Sequence, residues 1–305
     1  ITTPKTPLPW INYLGCEDFF SIKSNTSGGY CFYKDAKLLR LTRYRYNNVP
    51  FDDGGHYFYI KDGDTVWNPG WQPVQTELDS YECRHGMGYS IFTGVKNGLK
   101  AQVTSFVPMG YTCEVNKLTE SDTVKNFSVF SYVEFCLWNA MDDMTNFQRN
   151  FSTGEVEVMG SVIIHKTEYR ERRRHYAIFG VNTPINGFDT DRDSFLGAYR
   201  GYHNPQVVED GKSKNSMASG WAPIGSHQIT LSLQPGETKT YIYVLGYCEN
   251  PADQKWESQG IVNKAPAKAL MEAFATEAQA DAALDHLKEY WSQLLGKFHV
   301  ESDYT

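Results

Sequence analysis

The stretch Asn97-Gly-Leu-Lys-Ala-Gln-Val-Thr-Ser-Phe-Val107 carries the reading of the fold. Asn-Gly suits a two-residue hairpin turn, because both central residues of that turn need positive φ. The residues after it alternate apolar and polar, which is the period of a strand with one buried face. The same pattern recurs outward from this point. Ile229-Thr-Leu-Ser-Leu233 and the run 239–245 flank Gln234-Pro-Gly-Glu237, where Pro presets φ and Gly supplies the positive φ of a type II turn. Val156 and Val158 lead into Met159-Gly160, and residues 161–165 read as the returning strand. Asp52-Asp-Gly-Gly55 and Asp62-Gly-Asp64 punctuate the earlier chain. From Trp10 to about Gly246 the dominant period is two, with Gly-bearing turns and no helical filler. This predicts a mainly β chain, built as one large antiparallel sandwich.

The tail changes period. Residues 264–274 predict a short helix with Pro266 in its first turn. Thr276-Glu-Ala-Gln279 is a capping box, in which the Thr hydroxyl and the Gln side chain each satisfy an orphan backbone N–H. Leu284, Leu287, Trp291, Leu294 and Phe298 follow at helical spacing, and Gly296 sits where a C-terminal cap belongs. That stripe predicts a connector or a brace across a sheet.

Composition narrows the function classes. The 305 residues are 41% hydrophobic and 21% charged, enough for a packed core and too apolar for wholesale disorder. A net charge of −7 gives no electrostatic footprint for nucleic acid. No apolar run approaches the roughly 18–20 residues of a membrane helix. The six cysteines (Cys16, Cys31, Cys83, Cys113, Cys136, Cys248) form no C-x-x-C pair and lack zinc-ligand spacing. Several sit in strand-like apolar runs, so they read as buried thiols and favour a cytoplasmic location.

Four stretches hold candidate chemistry. Asp189-Thr-Asp-Arg-Asp193 resembles a calcium loop, but Ser194 and Arg200 stand where that loop needs Gly and a bidentate Glu, so a solvated turn is expected. The basic run Arg170-Glu-Arg-Arg-Arg174, with Lys166 before it, reads as self-paired charges, since Glu168 and Glu171 are interleaved. Arg40-Leu-Thr-Arg-Tyr-Arg-Tyr-Asn-Asn48 mixes Arg and Tyr, a sheet surface or subunit contact. Trp138-Asn-Ala-Met-Asp-Asp-Met-Thr-Asn-Phe-Gln-Arg-Asn150 interrupts the strand rhythm with amides, which match sugar hydroxyls as both donors and acceptors. No Ser-His-Asp elbow, P-loop or dinucleotide fingerprint is present.

Pro9-Trp-Ile-Asn-Tyr-Leu-Gly15, Ser27-Gly-Gly-Tyr-Cys-Phe-Tyr-Lys-Asp35, Leu78-Asp-Ser-Tyr-Glu-Cys-Arg-His-Gly86, Glu134-Phe-Cys-Leu-Trp-Asn139 and the run 146–156 carry a resemblance. The chain resembles the amino-terminal part of the glycoside hydrolase family that holds cellobiose, chitobiose and cellodextrin phosphorylases, with the cellobiose phosphorylases fitting best. The resemblance implies a β supersandwich over residues 1–262 and a helical linker over 263–305, leading to an (α/α)6 catalytic barrel beyond Thr305. Family members carry a few more residues near Lys117-Leu-Thr-Glu-Ser-Asp122, which leaves the hairpin register there open.

The implied reaction is inverting phosphorolysis of cellobiose to α-glucose 1-phosphate and glucose. Inorganic phosphate serves as co-substrate, and no metal or other cofactor is implied. The general acid Asp and the phosphate clamp are expected in the barrel, so the segment alone is expected to be inactive. The resemblance further implies a homodimer in which a loop of one subunit reaches the acceptor site of the other. Asn139, Asn146, Gln148 and Arg149 are the positions carried over as substrate-binding, with Arg149 also able to pair with Asp142 or Asp143. The competing reading is a stand-alone carbohydrate-binding or structural β-sandwich, without catalysis.

Overall fold

The computed structural model describes residues 1–15, 17–45, 52–121, 125–145, 152–169, 173–220, 222–298 and 300–301. Two large sheets face each other. Across the first run β1 (Ile11–Leu14), β2 (Phe19–Ser24), β3 (Cys31–Tyr33), β4 (Arg40–Thr42), β11 (Lys125–Trp138), β17 (Pro223–Leu233) and β15 (Gly187–Asp191). Beside β11 lies β5 (Tyr57–Asp62), and beside that β6 (Thr65–Trp67). The second sheet runs β16 (Ser219–Gly220), β12 (Ser152–Met159), β13 (Val162–Tyr169), β14 (His175–Val181), β18 (Thr238–Glu249), β10 (Cys113–Ser121), β9 (Leu99–Phe106), β8 (Tyr89–Lys96) and β7 (Ser80–His85). A short hairpin of β19 (Trp256–Ser258) and β20 (Ile261–Val262) follows. The helices are α1 (Ala140–Met144), α2 (Arg192–Leu196), α3 (Gln206–Asp210), α4 (Ala265–Ala273) and α5 (Glu277–Leu295).

The pairing of these strands is antiparallel, as the hairpin pattern predicts. Asn97 and Gly98 take φ of 51° and 77°, and Gly236 takes 74° with the Glu237 N–H on the Gln234 carbonyl at 2.9 Å. The hairpin expected around residues 117–122 does not form: β10 pairs with β9 and β18 in the second sheet, β11 belongs to the first, and residues 122–124 lie outside the described residues.

The core lies between the sheets. Phe58, Val129, Val133 and Phe135 from the first meet Phe92, Val103, Phe179, Tyr243 and Leu245 from the second. The run Tyr241-Ile-Tyr-Val-Leu-Gly-Tyr247 is apolar throughout because β18 is covered twice. Tyr243, Leu245 and Tyr247 face the first sheet, while Ile242 and Val244 face the helices. The outer face of the first sheet is covered by α2 and α3, where Phe195, Val207 and Val208 pack on Tyr57, Tyr59, Phe130 and Tyr132. All five described cysteines are buried free thiols. No helix among the described residues is long and apolar enough to cross a membrane.

The tail helices form a brace. Ala267, Leu270, Phe274, Ala280, Leu284 and Leu287 are buried against the outer face of the second sheet. A Cβ on Gly246 would stand 2.7 Å from Leu270 Cδ2, so glycine is what lets α4 settle there. The Thr276–Gln279 capping box is present. One expectation fails. Leu294 and Phe298 are 43% and 85% exposed, because α5 runs past the sheet after Trp291 reaches the turn at Gly88. Gly296 is the C-terminal cap, as its position predicts, and takes it in the right-handed region at φ −67°.

Candidate functional site

The amide-rich stretch leaves the first sheet at the end of β11. Trp138 is buried and takes φ of 72°, which turns the chain out of the strand. Asn139 then caps α1: its Oδ1 accepts the N–H groups of Met141 at 3.1 Å and Asp142 at 3.2 Å. The helix lasts five residues and ends at Thr145, whose hydroxyl donates back to the Met141 and Asp142 carbonyls. Of the four positions carried over for substrate, only Asn139 is described, and its amide oxygen is engaged in the cap. Asn146, Gln148 and Arg149 lie outside the described residues.

Beneath α1 sits Glu134, which sequence reasoning did not single out as a functional position. Alternation along β11 places it on the outer face with Phe130 and Tyr132. It is 5% exposed and receives Arg43 Nη1 at 2.7 Å, Arg192 Nη1 at 3.0 Å and the Tyr202 hydroxyl at 2.5 Å. Burial alone would raise its pKa. The two guanidinium groups outweigh that and hold it down at about 2. Arg43 also turns Nε to Asp143 at 2.8 Å, so one guanidinium ties α1 to the sheet. Asp143 thus pairs with Arg43. Arg192 opens α2, whose cap is the Asp191 carboxylate accepting the Ser194 N–H at 2.9 Å.

The acidic run is solvated only at its end, where Asp193 is exposed. Asp189 is fully buried, and its carboxylate gathers N–H groups of Lys214 and Ser216 and the Ser216 hydroxyl. A loop needing its donors satisfied folded over the carboxylate and excluded water. The described cations of the basic run pair with neighbouring strands and not within the run: Lys166 reaches Glu155 and Glu157 of β12, and Arg174 reaches Glu249 of β18, while residues 170–172 lie outside the described residues. Among the described residues no group of three His, Cys, Asp or Glu side chains could hold a metal.

Arg192 and Tyr202 also face outward onto an open cleft of about 860 Å³, with Asp53, Tyr199, Arg200 and His203 around it. Tyr199 stands fully exposed at φ of 60°. Asp53 is raised to about 6, first by burial and then by the neighbouring charges of Glu134 and Asp52. The cleft offers guanidinium donors, a carboxylate acceptor and two phenol rings, a surface suited to polyhydroxylated ligands. Glu134, held ionised by its guanidinium neighbours, is equipped to position loops and not to donate a proton, while Asp143, whose pKa burial raises, accepts from Arg43 and ties α1 to the sheet. The signals missed were partners far apart in sequence: Arg43 and Glu134 are separated by 91 residues.

A family model described as glycosyl hydrolase 94, supersandwich domain, matches residues 1–276. The chain is 34% identical to N,N'-diacetylchitobiose phosphorylase of Vibrio proteolyticus, over 99% of this chain and 37% of that protein. It is 26% identical to 3-O-beta-D-glucopyranosyl-beta-D-glucuronide phosphorylase of Paenibacillus borealis, again over 99% of this chain and 37% of that protein. It therefore spans little more than a third of these relatives' length. Among solved structures, a bacterial glucoamylase complexed with acarbose aligns at a TM-score of 0.59 and 9% identity, covering 96% of this chain and 39% of that one. That likeness shows the fold alone.

Proposed function

We propose, from the premise that this chain belongs to the glycosyl hydrolase 94 supersandwich family, that it is the amino-terminal segment of an inverting disaccharide phosphorylase. The observation that carries this reading is the match of 99% of the chain to a disaccharide phosphorylase at 34% identity. A hydrolase needs one carboxyl to protonate the leaving oxygen and another to activate water. Phosphate is already an anionic nucleophile, so a phosphorylase needs the acid and an anion clamp. A phosphate oxygen forms a bond to the anomeric carbon as the glycosidic C–O bond breaks, and the acid's proton goes to the departing oxygen. Acid and clamp belong, in this proposal, to a barrel outside this chain, after a boundary near residue 262 and a helical linker.

For substrate we propose cellobiose, giving α-glucose 1-phosphate and glucose. The second reading is an N-acetylated disaccharide, favoured by the chitobiose phosphorylase identity. The 139–149 loop is proposed to reach the acceptor site of the partner subunit in a homodimer in the cytoplasm, with Asn139, Asn146, Gln148 and Arg149 toward the sugar. The test supplies the intact protein with phosphate and either cellobiose or N,N'-diacetylchitobiose, and measures sugar 1-phosphate. Phosphate-dependent release with cellobiose is expected. Release of reducing sugar without phosphate consumption overturns the reaction, and preference for the acetylated substrate overturns the substrate. No sugar release with either substrate favours the stand-alone binding or structural domain.

A further inference from the structure

Beside the cleft, on the other side of the Asp52–Asp53 turn, lies a smaller pocket of about 330 Å³. Three loops meet to build it. After β2, Ser24 Oγ takes the N–H groups of Thr26 and Gly28 and donates to the Asp52 carboxylate. Thr26 Oγ1 donates to the same carboxylate at 2.7 Å, and the Tyr44 hydroxyl at 3.1 Å. The turn after β6 supplies Trp71, Gln72 and Gln75, with the Gln75 N–H on the Trp71 carbonyl at 2.9 Å. Over these runs the strap of residues 4–9. It is held by the 1%-exposed Asn25, whose Oδ1 takes the Trp10 N–H at 2.9 Å and whose Nδ2 donates to the Pro4 carbonyl.

The backbone here is under unusual demand. Asp52, Trp71 and Gln75 take φ of 61°, 73° and 63°, and Ser27 just behind them takes 70°. That gathers four of the ten non-glycine residues with positive φ among the described residues around one pocket. A Cβ on Gly28 would stand 2.3 Å from the Asp52 carboxylate, and one on Gly55 would stand 2.4 Å from the Ser27 carbonyl oxygen. Left-handed side-chain-bearing residues persist where surrounding structure over-determines them, and they gather at ligand clamps. The Trp71 Nε1–H is enclosed and has no protein acceptor.

We propose that this pocket binds a single neutral pyranose ring. The volume falls at the small end of ligand pockets, the size of a monosaccharide. The Trp71 indole offers a flat apolar face to the C–H face of a sugar, with Lys5 standing over it from an exposed position that a stacking ring displaces. Thr26, whose proton is held by Asp52, supplies a hydroxyl oxygen that can accept, and Gln75 an amide that can donate or accept. The Asp52 carboxylate excludes an anionic ligand. Asp52 belongs to this pocket and Asp53 to the cleft above Glu134, so one turn serves both. The inference does not depend on the phosphorylase reading.

The experiment titrates methyl β-D-glucopyranoside into the intact protein, with binding followed by saturation-transfer NMR. The same titration is made on Trp71→Phe, which keeps a ring but offers a smaller stacking face, and on Gln75→Gly, which suits a left-handed position and so keeps the fold. Saturable millimolar binding is expected, weakened at least tenfold by Gln75→Gly and measurably by Trp71→Phe. Phosphorolytic kcat/KM is measured in parallel and is expected to stay within twofold. An isotherm unchanged in both variants overturns the proposal, as does binding lost in step with kcat/KM. A protein without phosphorolysis still reports on the pocket, so the two failures are separable.

Discussion

Two buried carboxylates face opposite ways in this sandwich. Glu114 points from β10 into the space between the sheets, fully buried, with Lys23 Nζ at 2.9 Å, His56 Nδ1 at 3.0 Å and Asn116 Nδ2 at 2.8 Å. Glu134 points from β11 away from that space, toward Arg43, Arg192 and Tyr202. For both groups burial alone would raise the pKa, and neighbouring positive charge pulls it well below the usual range. The partners differ in where they sit. Lys23, Ser21 and Asn116 occupy inward positions of strands, so the Glu114 centre closes the sandwich on itself. The Glu134 partners come from the residue after β4, the start of α2 and the loop before α3, so that centre fastens surface segments to a sheet. A buried charge in a core fixes pairing, and the same charge one sheet outward fixes a site.

The sharpest break of this comparison is Lys23→Met. It removes the lysine nearest Glu114 and leaves that carboxylate buried beside His56, which burial alone then holds below its usual pKa while Glu114 pulls it up. Removing one partner of a buried pair costs about 3–5 kcal/mol. Replacing both, Lys23→Met with Glu114→Gln, should restore at least half of that. Urea midpoints of the intact protein measure both. A single-variant loss under about 1 kcal/mol would show that water reaches Glu114.

Glu134→Gln probes the other centre with nearly the same shape. A carboxyl held at about 2 against an ordinary 4.5 contributes on the order of 3 kcal/mol. That stability is fully present above pH 4.5 and is lost as pH falls through 2, since the unfolded chain binds the proton first. The wild-type advantage over the variant should therefore be largest at neutral pH and shrink toward pH 3. Taking the difference matters. His165, held at about 3 by burial and then by the charge of Arg173, withdraws stability from both proteins below pH 6.5. A difference that stays flat from pH 7 to pH 3 would mean that Glu134 is not held ionised by its guanidinium neighbours. The same variant loosens Arg43 and Arg192, so it should also raise the acceptor KM of the intact protein.

Much of the frame was legible because its signals are local. Asn97-Gly98, Pro235-Gly236 and the Thr276–Gln279 box each set their own geometry within four residues. The brace was half legible. Spacing identified a stripe, but where the stripe ends depends on where the sheet ends, and Leu294 lies beyond it. The polar centres were not legible. Lys23 and Glu114 are separated by 91 positions, as are Arg43 and Glu134, and strand alternation alone assigns such residues to solvent. Asp189 was misplaced for the same reason, since its donors arrive from Lys214 and Ser216. The amide stretch was recognisable as a departure from the strand rhythm, but composition could not distinguish an amide aimed at a ligand from one capping a helix.

Asn139 separates those two roles with the smallest change. If the side chain acts as the α1 cap, its oxygen matters and its NH2 does not. Asn139→Asp keeps an accepting oxygen for the Met141 and Asp142 N–H groups, and Asp caps about as well as Asn. The added charge meets Asp142 and Asp143 in the first turn, so stability should move by less than about 0.5 kcal/mol either way. Asn139→Ala removes the cap and should lower stability by about 1 kcal/mol. Acceptor KM in the synthetic direction, measured on the intact protein, gives the decisive comparison. With capping as the sole role, Asn139→Asp leaves KM within twofold, and Asn139→Ala raises it only as far as a frayed α1 displaces the residues that follow. A tenfold rise in Asn139→Asp, with stability unchanged, would place the Nδ2–H on the acceptor, as a substrate-binding role beside Asn146 and Gln148 requires.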